Sequence, residues 1–313
     1  MSRGPGGCST TSYQSWRESR SWRGAAAAVH STPQQSRLEE AVEKGLAWAR
    51  RVDPPELKGE LVVAASPTGE PAARILCVGV LHSGGVCRLA HPSEASLSLL
   101  PYREYEFTLV AFTGDPKDSR IVHLAEAASL LGARGLYVVG PPMHPGYEER
   151  LSMLGASRVE APREAPVLSM SIASLVWTPR LLGMREGRFR GEIEALSGST
   201  AWLRERFAGE IEEARGSSSV EAYSTPLGLP GALYLYLSRQ SRAVHPLEML
   251  PLHRTPPTPI VFMASVEEPS YRDVIRSSTV RGVRPVVFNI NTDPITAGFY
   301  SILIAAEISE VLI

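Results

Sequence analysis

Residues 107–141 read FTLVAFTGDPKDSRIVHLAEAASLLGARGLYVVGP. Residues 107–112 form the short, apolar run expected of a strand buried on both faces. Over residues 119–133, apolar side chains at Ile121, Val122, Leu124, Ala125, Ala128 and Leu131 recur with a helical period. Residues 136–139 are a second buried strand. Strand, helix and strand in that order predict a parallel pair joined by a right-handed crossover. The turn Thr113-Gly114-Asp115-Pro116-Lys117-Asp118-Ser119 then lies at the carboxyl end of a parallel strand and at a helix N-terminus. Backbone N–H groups point outward there, and anions and ligands bind at such places in open α/β sheets. Two readings of the turn stand side by side. The hydroxyls of Thr113 and Ser119 complete a phosphate cradle, or Asp118 or Ser119 only caps the helix.

Outward from this unit the same grammar repeats. An amphipathic helix over 37–51 ends at Pro54-Pro55, and a strand over 61–65 runs into Ser66-Pro67-Thr68-Gly69-Glu70-Pro71 and a helix over 72–81. A strand over 86–90 ends at His91-Pro92-Ser93-Glu94-Ala95. Beyond residue 141 come a short helix (147–154), a Pro-rich connector (158–166), a long helical region (169–185) that passes Pro179, and a charged helix over 193–214. After a Gly/Ser joint at 216–219 the pattern restarts: strand 220–223, turn 224–230, helix 231–238, strand 259–264, turn 265–270, helix 271–281, strand 285–290 and a closing helix 299–311. VVAASPTGEPAARIL (62–76) can be laid beside VEAYSTPLGLPGALYL (220–235), and FTGDPKDS (112–119) beside MASVEEPS (263–270). We read a duplicated α/β unit: an N-terminal extension (1–36), a first domain (37–195) and a second (196–313), each a parallel sheet with helices on both faces. The extension carries Tyr13, Trp16 and Trp22, which suggests a helix that packs somewhere.

Composition narrows the function. The 313 residues carry a formal charge of −1, which gives no bulk electrostatic case for nucleic acid or an anionic membrane. No apolar run approaches a membrane span, and the N-terminus lacks a signal peptide's apolar core. Cys8, Cys77 and Cys87 show no CxxC or Cys/His metal spacing. No metal is expected, and a cytoplasmic, reducing setting is, with Cys77 and Cys87 as small buried apolar residues. Only Lys44, Lys58 and Lys117 are lysines, which limits any lysine-dependent mechanism.

The order and spacing of these loops, from about residue 37 onward, resemble the double-domain form of the SIS (sugar isomerase) domain family. The signature loop S-x-S-G-E-T-x-D-T matches Ala111-Phe112-Thr113-Gly114-Asp115-Pro116-Lys117-Asp118-Ser119, with hydroxyls kept at Thr113 and Ser119. The second phosphate loop, G-x-G-T-S, corresponds to Ala64-Ala65-Ser66-Pro67-Thr68; S-E-F to Ser93-Glu94-Ala95; and V-A-S-T-K to Ile172-Ala173-Ser174-Leu175-Val176. The departures are concrete. Ala111 and Pro116 replace hydroxyl residues, Val176 replaces the lysine, and the second-domain E-G-A-L motif reads Pro230-Gly231-Ala232-Leu233. The H-G-P element falls near Arg254-Thr255-Pro256, with His253 one place away.

The resemblance implies a sugar phosphate ligand, no cofactor and a homodimer. It implies phosphate contacts from Ser66, Thr68, Thr113, Gly114 and Ser119, and substrate contacts from Glu94, Ser174 and Arg254. Aldose–ketose isomerisation needs a base to move a proton between C1 and C2 and an acid/base for ring opening. Glu94, Glu248, Glu267 and Glu268 are candidate carboxylates, and His91, His144, His245 and His253 candidate histidines. Glu248 with His245 or His253 is the most attractive set, with Glu248 and His253 as the expected catalytic pair, while His123 falls on a helix as a structural residue. Glu267-Glu268 lies where the second loop would hold an anion and would repel phosphate, which argues for one phosphate site per chain. A non-catalytic phosphosugar sensor or regulator is the competing reading. A nucleotide-binding protein is disfavoured, since no P-loop or GxGxxG follows either strand.

Overall fold

The computed structural model describes residues 33–102, 105–181, 183, 188–254 and 257–313. Most of the N-terminal extension, with its three aromatics, lies outside the described residues, as do Thr255 and Pro256. The first part of the chain runs α1 (Pro33–Arg51), β1 (Glu60–Ala65), α2 (Glu70–His82), β2 (Cys87–Ala90) and a short α3 (Pro92–Glu94). There follow β3 (Phe107–Phe112), α4 (Ser119–Leu130), β4 (Gly135–Gly140), α5 (Pro145–Met153), β5 (Ser157–Glu160) and α6 (Pro166–Leu181). The second part runs α7 (Arg188–Glu194), α8 (Ser199–Arg215), β6 (Val220–Ser224), α9 (Leu229–Leu237) and β7 (Ser241–Pro246). A 3-10 segment (Leu247–Leu252), β8 (Thr258–Ala264), α10 (Glu268–Val280), β9 (Val286–Ile290) and α11 (Pro294–Ser309) complete it.

Both sheets are parallel, in the orders β2-β1-β3-β4-β5 and β7-β6-β8-β9. Strand order reverses between β1 and β3 in one sheet and between β6 and β8 in the other. A crevice opens at such a reversal, beyond the strands' carboxyl ends. The apolar runs are continuous because each strand is covered twice. Leu61, Val63, Val110 and Phe112 face one core, while Val62, Ala64, Leu109 and Ala111 face another beneath α4 and α5. The first of these cores is shared: it also takes Ala222, Ile260 and Phe262 from the second sheet, together with side chains of α1, α2, α6, α8, α9 and α11.

The closing helix α11 is buried at every residue from Ile295 to Ser309. Its one charged side chain in that run, Glu307, is 6% exposed. Arg204 and Arg215 of α8 hold it, with contacts of 2.8 Å to Oε1 and 3.1 Å to Oε2, and Arg215 also donates to the Glu307 carbonyl. A carboxylate taken out of water needs such partners.

Sequence reading misses two strands, β5 (SRVE) and β7 (SRAVHP), each at a sheet edge. Edge strands have one unpaired side and half-exposed residues, so neither a buried run nor a clean alternation marks them. A second correction concerns the cysteines. Cys77 of α2 and Cys87 of β2 form a disulfide, their Cα atoms 5.4 Å apart. The crossover from β1 through α2 brings them together, which their ten-residue separation does not advertise. The ground for a reducing setting is therefore removed. Among the described residues, no helix is long and apolar enough to cross a membrane.

A Cβ on Gly69 would stand 2.3 Å from the Phe112 carbonyl oxygen, and one on Gly228 2.3 Å from that of Phe262. Gly69→Ala and Gly228→Ala should each lower stability by about 1–3 kcal/mol in denaturant titrations. Gly209→Ala, in α8 with open space around it, should raise it by about 0.5–1 kcal/mol. The denatured, unreduced chain should titrate one thiol, Cys8, of its three cysteines and all three after reduction.

Candidate functional site

Three loops meet at the carboxyl end of the first sheet. Ser66 and Thr113, both fully buried, join the turns after β1 and β3 through a 3.1 Å hydroxyl–hydroxyl bond. Thr68 Oγ1 lies 3.1 Å from Ser66 Oγ and accepts from the Gly114 N–H at 2.9 Å. Thr113 Oγ1 also accepts from the Asp115 N–H at 3.1 Å. A Cβ on Gly114 would approach the Thr68 Cβ to 2.9 Å, so glycine is what lets the two turns close on each other. Of the five residues expected to hold phosphate, Ser66 and Thr113 pin the turns together. Thr68 and Gly114 form the half-buried rim, and Ser119 is exposed at the first position of α4.

The capping reading of the turn also holds. Asp118 is the N-cap of α4: its Oδ1 accepts from the Arg120 N–H at 3.2 Å, and the Arg120 guanidinium closes on the carboxylate at 2.7 and 2.9 Å. That hydrogen bond, outweighing partial burial, makes the guanidinium harder to deprotonate. Arg120 Nη1 also lies 3.1 Å from His91 Nε2, which brings the loop after β2 into the same cluster. Sequence reading passed over Arg120; its signal is the Asp-x-Arg spacing across a helix start. Asp115 accepts from the Lys117 N–H at 2.8 Å. The donors of this mouth are thus largely engaged with the chain's own oxygens.

The second sheet repeats the arrangement with one change. The Thr225 N–H donates to the Phe262 carbonyl at 3.1 Å, as the Ser66 N–H does to Phe112 at 3.0 Å. Here, however, the Glu267 carboxylate fills the loop. It accepts from the Thr225 hydroxyl and from the N–H groups of Leu227 and Ala264, both at 3.2 Å.

The other expected site residues are dispersed. Glu248 is exposed on the 3-10 segment after β7, where the Tyr271 hydroxyl donates to it at 3.0 Å. Burial of Tyr271, and then Glu248 itself, push that phenol's pKa up. His253 follows the same segment, at the amino end of β8. At the roughly 2 Å rise per residue of a 3-10 helix, about 10 Å separates it from Glu248 along the segment. His253 is buried, its Nδ1 2.9 Å from the Tyr223 hydroxyl and its Nε2 2.6 Å from the Pro257 carbonyl. Glu221 Oε2 lies 3.4 Å from the His253 Nδ1 and 3.7 Å from His245 Nε2. This Glu221–Tyr223–His253 cluster escaped sequence reading, although strand period places Glu221 and Tyr223 on one face. Arg254 is exposed beside His253. Glu94 is exposed in α3, and Ser174 is enclosed in α6 with its hydroxyl unpartnered. His144 caps α5 and His123 sits exposed on α4 beside Glu126. Among the described residues no group of three or more His, Cys, Asp or Glu could hold a metal ion.

No protein-family model matches the sequence, and no curated protein does. Solved structures do match in three dimensions. A glucosamine-6-phosphate deaminase from Thermotoga maritima superposes with a TM-score of 0.63 at 10% identity, over 88% of this chain and 91% of that one. The C-terminal domain of a glucosamine-fructose-6-phosphate aminotransferase from Francisella tularensis gives 0.59 at 11% identity, over 88% and 94%. A tagatose-6-phosphate ketose/aldose isomerase from Escherichia coli gives 0.55 at 12% identity, over 88% and 87%. Identity this low speaks to architecture alone, and on that footing the chain has the fold of the sugar isomerase (SIS) domain proteins.

Proposed function

We propose that this chain binds a sugar phosphate at the carboxyl end of its first sheet, as a phosphosugar-binding protein of the sugar isomerase type. The observation that carries the reading is the pair of hydroxyl-bearing turns locked together there by Ser66–Thr113 and Thr68–Gly114. In this reading Ser66 and Thr113 are positioning residues. Thr68, Gly114 and Ser119 face the phosphate at the start of α4, where helix-end N–H groups favour an anion. Lys117, exposed on the same turn, adds a cation. Glu94, exposed in α3 just after β2, is placed for a sugar hydroxyl. Two proteins of this fold carry names that specify glucosamine 6-phosphate and tagatose 6-phosphate, which supports the ligand class.

Binding without turnover fits the geometry best, because Glu248 and His253 sit at opposite ends of one segment and both His253 nitrogens are engaged. The isomerase reading keeps Glu248 as the C1/C2 base and His253 as the ring-opening acid, with Arg254 and Ser174 as supporting contacts. It is favoured by the exposure of Glu248 near the start of α10, on the carboxyl side of the second sheet.

Titration calorimetry in phosphate-free buffer should give saturable heat with fructose 6-phosphate or glucosamine 6-phosphate and none with fructose. The double variant Thr68→Ala/Ser119→Ala should weaken that binding by about 10- to 100-fold, the loss of charge-assisted hydrogen bonds. Absence of heat with every phosphosugar would overturn the reading. In deuterated water, NMR should show no deuterium entering C2 of bound fructose 6-phosphate's aldose counterpart. Wash-in that disappears in Glu248→Gln would establish the isomerase instead.

A further inference from the structure

We propose that the second sheet carries a complete oxyanion cradle whose occupant is the chain's own Glu267. The turn around it repeats key backbone hydrogen bonds of the first mouth. The Gly69 N–H donates to the Ser66 carbonyl at 2.9 Å, and the Gly228 N–H to the Thr225 carbonyl at 3.1 Å. Gly69 and Gly228 make the same close approach, to Phe112 and Phe262 respectively. Both turns stand at their sheet's point of strand reversal, just before a helix that opens with proline at its second residue.

What differs is the charge inside. In the second mouth three donors converge on one carboxylate: the hydroxyl of Thr225, itself buried, and the N–H groups of Leu227 and Ala264. None of the three is cationic, and among the described residues no arginine, lysine or histidine pairs with Glu267. Its neighbour Glu268 is acidic and otherwise engaged, with Arg272 donating to it at 3.3 Å. Glu268 accepts from the Asn289 amide at 2.8 Å, and Glu248 from Tyr271. A carboxylate satisfied only by neutral dipoles sits where a phosphate-sized oxyanion would find the same donors. An amide pair with a hydroxyl is also how oriented backbone dipoles bind anions without a counter-charge. The ligand class of the unplugged cradle is therefore an inorganic oxyanion or a phosphate monoester. In the native chain Glu267 keeps it closed, so external phosphate has one mouth, in the first sheet. The claim about the second mouth does not depend on what the first one binds.

The test is chemical rescue of Glu267→Ala by inorganic phosphate. Melting temperatures would be read in phosphate-free buffer, with phosphate titrated in against chloride at matched ionic strength. The variant should melt several degrees below the native chain. Phosphate should restore most of that loss saturably and shift the native chain much less; adding Thr225→Val should abolish the rescue. Any stabilisation through the first mouth is common to both proteins and cancels in the comparison. If Glu267→Ala does not fold without phosphate, its refolding yield is read with and without it. Glu267→Gln, which keeps one acceptor oxygen, should fold and gain less. A variant as stable as the native chain, or one that phosphate shifts no more than the native chain, overturns the proposal.

Discussion

The burial of α11 is the constraint on which the rest of this structure depends. A helix with no solvent-facing side cannot lie on the outside of a single sheet. Here it lies in a core lined by the inner faces of both sheets, among α2, α6, α8 and α9. The two sheets are thereby parts of one hydrophobic body. Glu307 is the exception that shows how strictly the position is set. A charge on such a helix is tolerable only because two arginines of α8 reach it, and their contacts also tie α8 to the end of the chain.

A second constraint acts at the strand ends. Parallel strands deliver their following loops to one edge, and the reversal of strand order leaves two adjacent loops facing each other there. In both sheets a glycine allows the turn to press against a phenylalanine carbonyl, and the following helix presents its N-terminus to the gap. The donors this produces must be satisfied. The first mouth satisfies them largely with threonine and serine hydroxyls and with Asp115 and Asp118, the second with Glu267. The N-terminus of α11 is handled likewise: the Glu192 carboxylate of α7 accepts from the Asp293 N–H at 3.1 Å. Carboxylates from the chain itself thus recur where the fold favours an anion, and among the described residues the first mouth differs in carrying an exposed lysine, Lys117, at its rim.

Legibility from sequence followed burial. The β3–α4–β4 unit announced itself because its strands are buried on both faces and its helix is amphipathic, and β3 spans the residues expected of it. The strands β5 and β7 were missed because edge positions tolerate Ser, Arg, His and Pro. Their place after buried strands marks the two turns as candidate ligand loops, and Glu267 falls at the second loop's anion position. That it would bond to the loop rather than only repel a ligand depended on donors from Thr225 and Leu227, some forty residues away. The Cys77–Cys87 bond and the meeting of His253 with Tyr223 and Glu221 leave no local pattern either.

By itself, the sequence determined the class of fold, its internal repetition and the places where loops meet helix starts. Those features are written in local patterns: apolar runs, helical period, glycine and proline at turns. Only the tertiary structure decided which polar groups remain available in those loops. A hydrogen bond depends on the meeting of atoms from segments far apart in the chain, at separations of about 3 Å. No local pattern records whether a threonine hydroxyl faces a ligand or another threonine, nor whether a glutamate lies in water or in a cradle built by the opposite turn.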